Sequence, residues 1–165
     1  MPVSQSNPSP HDLVVAVLAG GASRRMGSDK ALLRLPDGRT ACTAVLETAR
    51  QVTERVILLV DTEQHGEQLL RTLTPPLPEV LLDEMPGAGP LGALDGALRA
   101  APEPALLLLA VDMPLIRSIV LRELYTQLRN RQQSDGIEIV APLIGGMAQP
   151  MPACYDTRLA GETVN

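Results

Sequence analysis

Five short apolar runs punctuate the chain, at residues 13–18, 56–60, 80–82, 106–111 and 137–141. Each has the length of a β-strand, and continuous apolar strands are expected where a sheet is covered on both faces. Helical periodicity fills the intervals. Val45, Leu46, Ala49 and Val52 share one face, as do Leu91, Leu94 and Leu98, and again Ile116, Val120, Leu124 and Leu128. Strands alternating with helices predict an α/β fold, a doubly wound three-layer sandwich around a mainly parallel central sheet. Right-handed crossovers would bring the C-terminal ends of the strands to one edge, where such sheets bind ligands.

With 165 residues, 45% of them hydrophobic, the chain can form one α/β domain with a real core. Residues 13–165 are expected to be that domain. Residues 1–12, with Pro2, Pro8, Pro10, Ser4, Ser6 and Ser9, read as a disordered leader. There is no Trp and no Phe, so the core must be built from Leu, Val, Ile, Ala and Met. The net charge of −5 and the lack of any Lys/Arg run argue against a nucleic-acid partner. The longest apolar run, 105–111, is too short to span a membrane, and no charged segment precedes an apolar signal region. A cytoplasmic location is therefore expected. Cys42 and Cys154 lack metal spacing and read as ordinary thiols, and His11 and His65 as surface histidines without a carboxylate grouping.

The first apolar run leads straight into Leu18-Ala19-Gly20-Gly21, followed by Arg24, Arg25 and Lys30. Glycines let the backbone turn sharply and approach a ligand, and their N–H groups can face phosphate oxygens or base edges. Glycines followed by cations, directly after the first strand, describe a polyphosphate site. A Walker A loop is excluded, because no Gly-Lys-Ser or Gly-Lys-Thr occurs. A Pro36-Asp37-Gly38 turn is expected to close a short hairpin before the first helix, and Pro75-Pro76-Leu77-Pro78 to act as a stiff connector.

A second cluster, Gly87-Ala88-Gly89-Pro90-Leu91-Gly92, matches the dinucleotide pattern G-x-G-x-x-G. It follows the third strand, and Asp83-Glu84-Met85-Pro86 intervenes, so a dinucleotide site is rejected. The segment reads instead as a loop entering a helix N-terminus, with Pro90 in the first turn and free N–H groups that could face a nucleotide. Asp83 ends the third strand and Asp112 the fourth. From the residues alone, Asp112 is either a helix cap near Pro114 or a Mg²⁺ ligand shared with phosphates. Asp83 is either a turn residue or a nucleotide contact.

The first loop resembles the nucleotidyltransferase signature L-A-G-G-x-x-x-R-M-G-x-x-K, and within that superfamily the chain resembles the molybdenum cofactor guanylyltransferases. The resemblance covers residues 14–155. It implies a Rossmann-like nucleotidyltransferase that transfers GMP from GTP to the terminal phosphate of molybdenum-molybdopterin, releasing pyrophosphate. It implies Lys30 on the triphosphate, Arg25 on the leaving pyrophosphate, and Asp112 as ligand of Mg²⁺. It implies Leu18, Ala19, Gly20, Gly21, Asp83, Gly89, Pro90 and Leu91 around the nucleotide, and the stretch 149–155 near the pterin. Enzymes that make or receive the cofactor are the implied partners. Relatives often carry Asn where Asp61 stands, and the family's further C-terminal segment, with its N-x-N-T-P-type motif, is not in this sequence. The alternatives are a cytidylyltransferase of the same pathway, or a short relative that binds nucleotide or a partner without turnover.

Overall fold

A computed structural model describes residues 10–20, 29–85, 89–132 and 139–158. Gly21, Arg24, Arg25, Gly87 and Ala88 lie outside these residues, as does the leader up to Ser9. Pro10–Asp12, expected to end the leader, instead form a 3-10 turn that leads into the first strand.

The elements alternate as expected, with one helix, α2, that the apolar periodicity does not show. β1 (Leu13–Leu18), α1 (Ala41–Arg50), β2 (Arg55–Val60), α2 (Glu63–Leu70), β3 (Glu79–Leu82), α3 (Pro90–Ala100), β4 (Ala105–Ala110) and α4 (Ser118–Gln132) follow in turn. Then come β5 (Ile139–Val140), the hairpin β6 (Leu143–Ile144) and β7 (Met147–Ala148), and β8 (Ala153–Asp156). The main sheet has six strands in the order β3-β2-β1-β4-β8-β5. β1 pairs in parallel with β2 and with β4, and β2 in parallel with β3. β8 enters antiparallel, between β4 and β5. It was not expected as a strand: its four residues are too few to show a pattern, and they fall in the stretch assigned to the pterin. Ala153, Cys154 and Tyr155 are buried, and the Tyr155 hydroxyl donates to the Pro150 carbonyl at 3.3 Å, so these three residues build the sheet.

Alternating residues of β1 feed two cores. Leu13, Val15 and Val17 pack with Val45, Leu46 and Ala49 of α1, Leu69 of α2, and Leu121, Leu124 and Leu128 of α4. Val14 and Ala16 pack on the opposite face with Ala93, Ala97 and Leu98 of α3. Helices therefore cover both faces of the sheet, and β1 and β4 are continuous apolar runs for that reason.

Of the expected α3 face, Leu98 is buried and Leu94 packs against the core, but Leu91 is 75% exposed, and Ala93 and Ala97 complete the buried face. In α4 the expected Leu124 and Leu128 are buried, while Val120 lies at the exposed margin and Leu121 and Tyr125 complete the face. The Pro-Asp-Gly turn closes its hairpin: Arg34 bridges Thr40, and the Leu35 N–H donates to the Arg39 carbonyl at 2.8 Å.

The strand order fixes where a ligand belongs. From β1 the chain steps outward through β2 to β3, then returns to lay β4 on the other side of β1. The order thus reverses between β1 and β4. Ligands of open α/β sheets bind at such a switch point, beyond the carboxyl ends of the strands.

Candidate active site

Leu18 pairs with Ala110 at the ends of β1 and β4, and the Val111 N–H donates to the Leu18 carbonyl at 3.0 Å. This contact places the start of the glycine loop beside Asp112. The chain then returns to the same edge at Lys30, whose Nζ lies 3.3 Å from Asp112 Oδ2. The two side chains are 45% and 51% exposed. A half-exposed lysine and a half-exposed carboxylate at the switch point are open to an incoming anion and a cation respectively.

Asp112 is not a helix cap. α4 begins only at Ser118, and a backbone turn, Met113 N–H to the Ala110 carbonyl at 3.1 Å, follows the strand instead. One of the two readings open at the level of sequence is thereby removed. Among the described residues no group of three or more His, Cys, Asp or Glu could hold a metal ion. A lone carboxylate beside an exposed edge does fit Mg²⁺, which commonly binds through one or two carboxylates plus substrate phosphates.

The glycine loop is built differently from expectation at its first glycine. The N–H groups of Ala19 and Gly20 both donate to the Leu59 carbonyl, at 2.8 and 3.1 Å. Neither is turned to a ligand. A Cβ on Gly20 would lie 2.8 Å from the Asp61 backbone nitrogen. The glycine is required there because β1's exit presses against the turn that ends β2.

Asp83 follows β3, and its N–H donates to the Val60 carbonyl at 2.8 Å. Its Oδ1 accepts the Met85 N–H at 3.0 Å, so the carboxylate shapes its own turn with one oxygen. Gly89 caps α3 with φ of 70° and ψ of −157°, backbone that side-chain-bearing residues rarely adopt. Pro90 opens the helix, and among the described residues no N-cap side chain bonds its N-terminal N–H groups. Leu91 stands exposed on the first turn.

His65 is where the sequence reading fails most clearly. Its side chain is only 12% exposed and lies between two carboxylates. Nδ1 is 2.8 Å from Asp61 Oδ1, and Nε2 is 2.9 Å from Asp29 Oδ2. Asp29 Oδ1 in turn accepts the Ala31 N–H at 2.9 Å and caps the 3-10 turn Lys30–Leu32. The spacing of Asp61 and His65 at the start of α2 was visible in the sequence, but Asp29 is far away along the chain. Nearby Cys42 offers no nucleophile: burial, with the charge of Asp29 added, pushes its thiol up to about 12.

Fold and sheet edge together match the class of α/β proteins that bind nucleoside phosphates at a strand switch point. The chain belongs to the MobA-like NTP transferase domain family, whose profile matches residues 15–164. A relative in Mycobacterium tuberculosis, named molybdenum cofactor guanylyltransferase, is 40% identical over 151 residues, covering 90% of this chain and 70% of the relative. One of the same name in Methanothermobacter thermautotrophicus is 33% identical over 150 residues, covering 89% of this chain and 73% of the relative. Both names specify guanylyl transfer, so the cytidylyl alternative is not favoured. Among solved structures, molybdopterin-guanine dinucleotide biosynthesis protein A from Archaeoglobus fulgidus superposes with a TM-score of 0.70 at 26% identity, over 90% of this chain and 69% of that one. A protein from Mycobacterium sp. strain JC1 gives 0.74 at 24% identity, over 94% and 75%. No described helix is long and apolar enough to cross a membrane.

Proposed function

We propose that the protein transfers GMP from GTP to the terminal phosphate of molybdenum-molybdopterin, in molybdopterin guanine dinucleotide biosynthesis. The Lys30–Asp112 pair at the β1/β4 switch point carries the reading, because it offers one cation and one carboxylate where a triphosphate would lie. The terminal phosphate oxygen of the pterin attacks the α-phosphorus of GTP, a new P–O–P link forms, and the bond to the β-phosphate oxygen breaks. Pyrophosphate leaves. The nucleophile is already anionic, so no general base is required.

Lys30 neutralises triphosphate charge as a compact point charge, and Arg25 is assigned to the leaving pyrophosphate. Leu18 to Gly21, Asp83 and the segment Gly89-Pro90-Leu91 surround the nucleotide in this reading. The N-terminus of α3 supplies N–H groups, and the Asp83 carboxylate an acceptor. Asp112 would hold the divalent ion, which supplies charge neutralisation on the phosphates. A fold neighbour from Mycobacterium tuberculosis was solved as a complex with manganese, and we assign Mg²⁺ here on the family resemblance. Positioning and charge neutralisation by these side chains account for the catalysis.

Calorimetric titration with GTP, CTP and ATP, with and without Mg²⁺, tests the proposal. The expected result is a preference for GTP that depends on Mg²⁺, followed by pyrophosphate release when the pterin substrate is added. A preference for CTP would overturn the base assignment, and no binding to any triphosphate would overturn the function.

A further inference from the structure

We infer that His65 is a positioning residue for Lys30: held from behind by Asp61, it clamps Asp29, and with it the turn that carries Lys30, to the end of β2. The inference rests on the guanylyltransferase reading for what Lys30 touches. The clamp itself rests on geometry alone.

Both imidazole nitrogens face carboxylate oxygens at hydrogen-bond distance. The ring therefore bridges the Asp61 and Asp29 carboxylates, one on each nitrogen. The contact with Asp61 could serve α2 alone. The contact with Asp29 does not, because it reaches across to the residue preceding Lys30.

Asp29 uses its two oxygens in two directions. One fixes the Lys30–Leu32 turn through the Ala31 N–H, and the other takes His65. The Asp61 backbone lies close to Gly20, whose N–H donates to the Leu59 carbonyl at 3.1 Å. The exit of β1, the end of β2 and the turn of Lys30 thereby meet at one edge. A lysine on a flexible four-carbon stem is a poor phosphate ligand unless its backbone is held. His65 supplies that hold without touching the substrate.

The test compares the full-length wild type with His65→Ala, Lys30→Ala and the double variant. Calorimetry reads binding of Mg²⁺·GTP and of guanosine, and amide hydrogen exchange reads Ala31 and Leu32. His65→Ala is expected to weaken GTP about tenfold, the scale typical of residues that orient a binding group. Guanosine binding stays unchanged, no further loss of GTP affinity appears in the Lys30→Ala background, and exchange at Ala31 accelerates. His65→Gln, which keeps volume and one donor, falls between wild type and His65→Ala and covers the case in which the alanine variant does not fold. If the wild type binds GTP and His65→Ala binds it equally well, loses guanosine equally, or adds its full loss to Lys30→Ala, the positioning role is overturned. If the wild type binds no GTP, the function fails separately. Exchange at Ala31 then decides the clamp: acceleration in His65→Ala sustains it, and unchanged exchange overturns it.

Discussion

Lys30 and Asp112 are a salt bridge by distance, but half-exposed pairs of this kind contribute less than about 1 kcal/mol to stability. Their removal should therefore separate function from folding. Asp112→Ala is expected to lower Mg²⁺-dependent pyrophosphate release by at least about 100-fold, the scale of losing an electrostatic stabiliser of the transition state. Its thermal unfolding should stay close to wild type, and normal turnover in that variant would remove Asp112 from the site. Lys30→Ala should weaken GTP far more than guanosine, measured by calorimetry. Gly20 has the opposite character. Its substitution by alanine drives a Cβ against the Asp61 backbone, which cannot move aside as a flexible side chain would. Gly20→Ala should cost about 1–3 kcal/mol in urea unfolding, the range for overpacking. The glycine signature was legible in the sequence. The reason for its first glycine was not, because a close approach between two loops leaves no trace in either loop alone.

Elements were legible where periodicity and packing agree. α1 was found because its large apolar residues are also its buried ones. α3 exposes the weakness of that rule. Two of its three leucines, Leu94 and Leu98, do lie on the core, yet Leu91 is open to solvent while Ala93 and Ala97 are covered by the sheet. Small residues let a helix lie close on a sheet, and hydrophobicity ranks them too low to show it. Ala97→Leu should thus destabilise by about 1–3 kcal/mol through overpacking. Leu91→Ala should change stability by no more than about 0.5 kcal/mol, as surface changes usually do. Denaturant midpoints of the two variants check this, and equal losses would contradict the observed face. α2 escaped notice because only Gly66 and Leu69 of its eight residues are buried. Without the α2 fold nothing along the chain links His65 to Asp29, 36 residues away. The Lys30–Asp112 meeting could be anticipated from strand order and motif, whereas the His65–Asp29 contact needed the fold.

At the scale of the molecule, the core holds weak acids that stay neutral to a higher pH when folded than when unfolded. Cys42 in α1 and Cys154 in β8 are fully buried, and burial is the main cause raising both thiols, Cys42 to about 12. Burial likewise pushes the Tyr125 hydroxyl up to about 12, and that hydroxyl finds no hydrogen-bond partner among the described residues. In the unfolded chain a thiol ionises near its ordinary value of 9.0. Below that pH both states keep the proton and stability is unaffected. Above it the unfolded state loses protons that the folded state retains, so stability falls as pH rises. For Cys42 the window runs from 9.0 to about 12. Each thiol contributes a slope of about 1.4 kcal/mol per pH unit within its window. Urea midpoints should therefore hold steady from neutral pH to about 9 and then drop, and Cys42→Ala should drop less steeply than wild type. Because both thiols sit against the same sheet that carries β1 and β4, the loss should be cooperative. GTP binding and the far-ultraviolet signal would disappear together. A site that failed well before the sheet would place its pH sensitivity in the edge residues and not in the core.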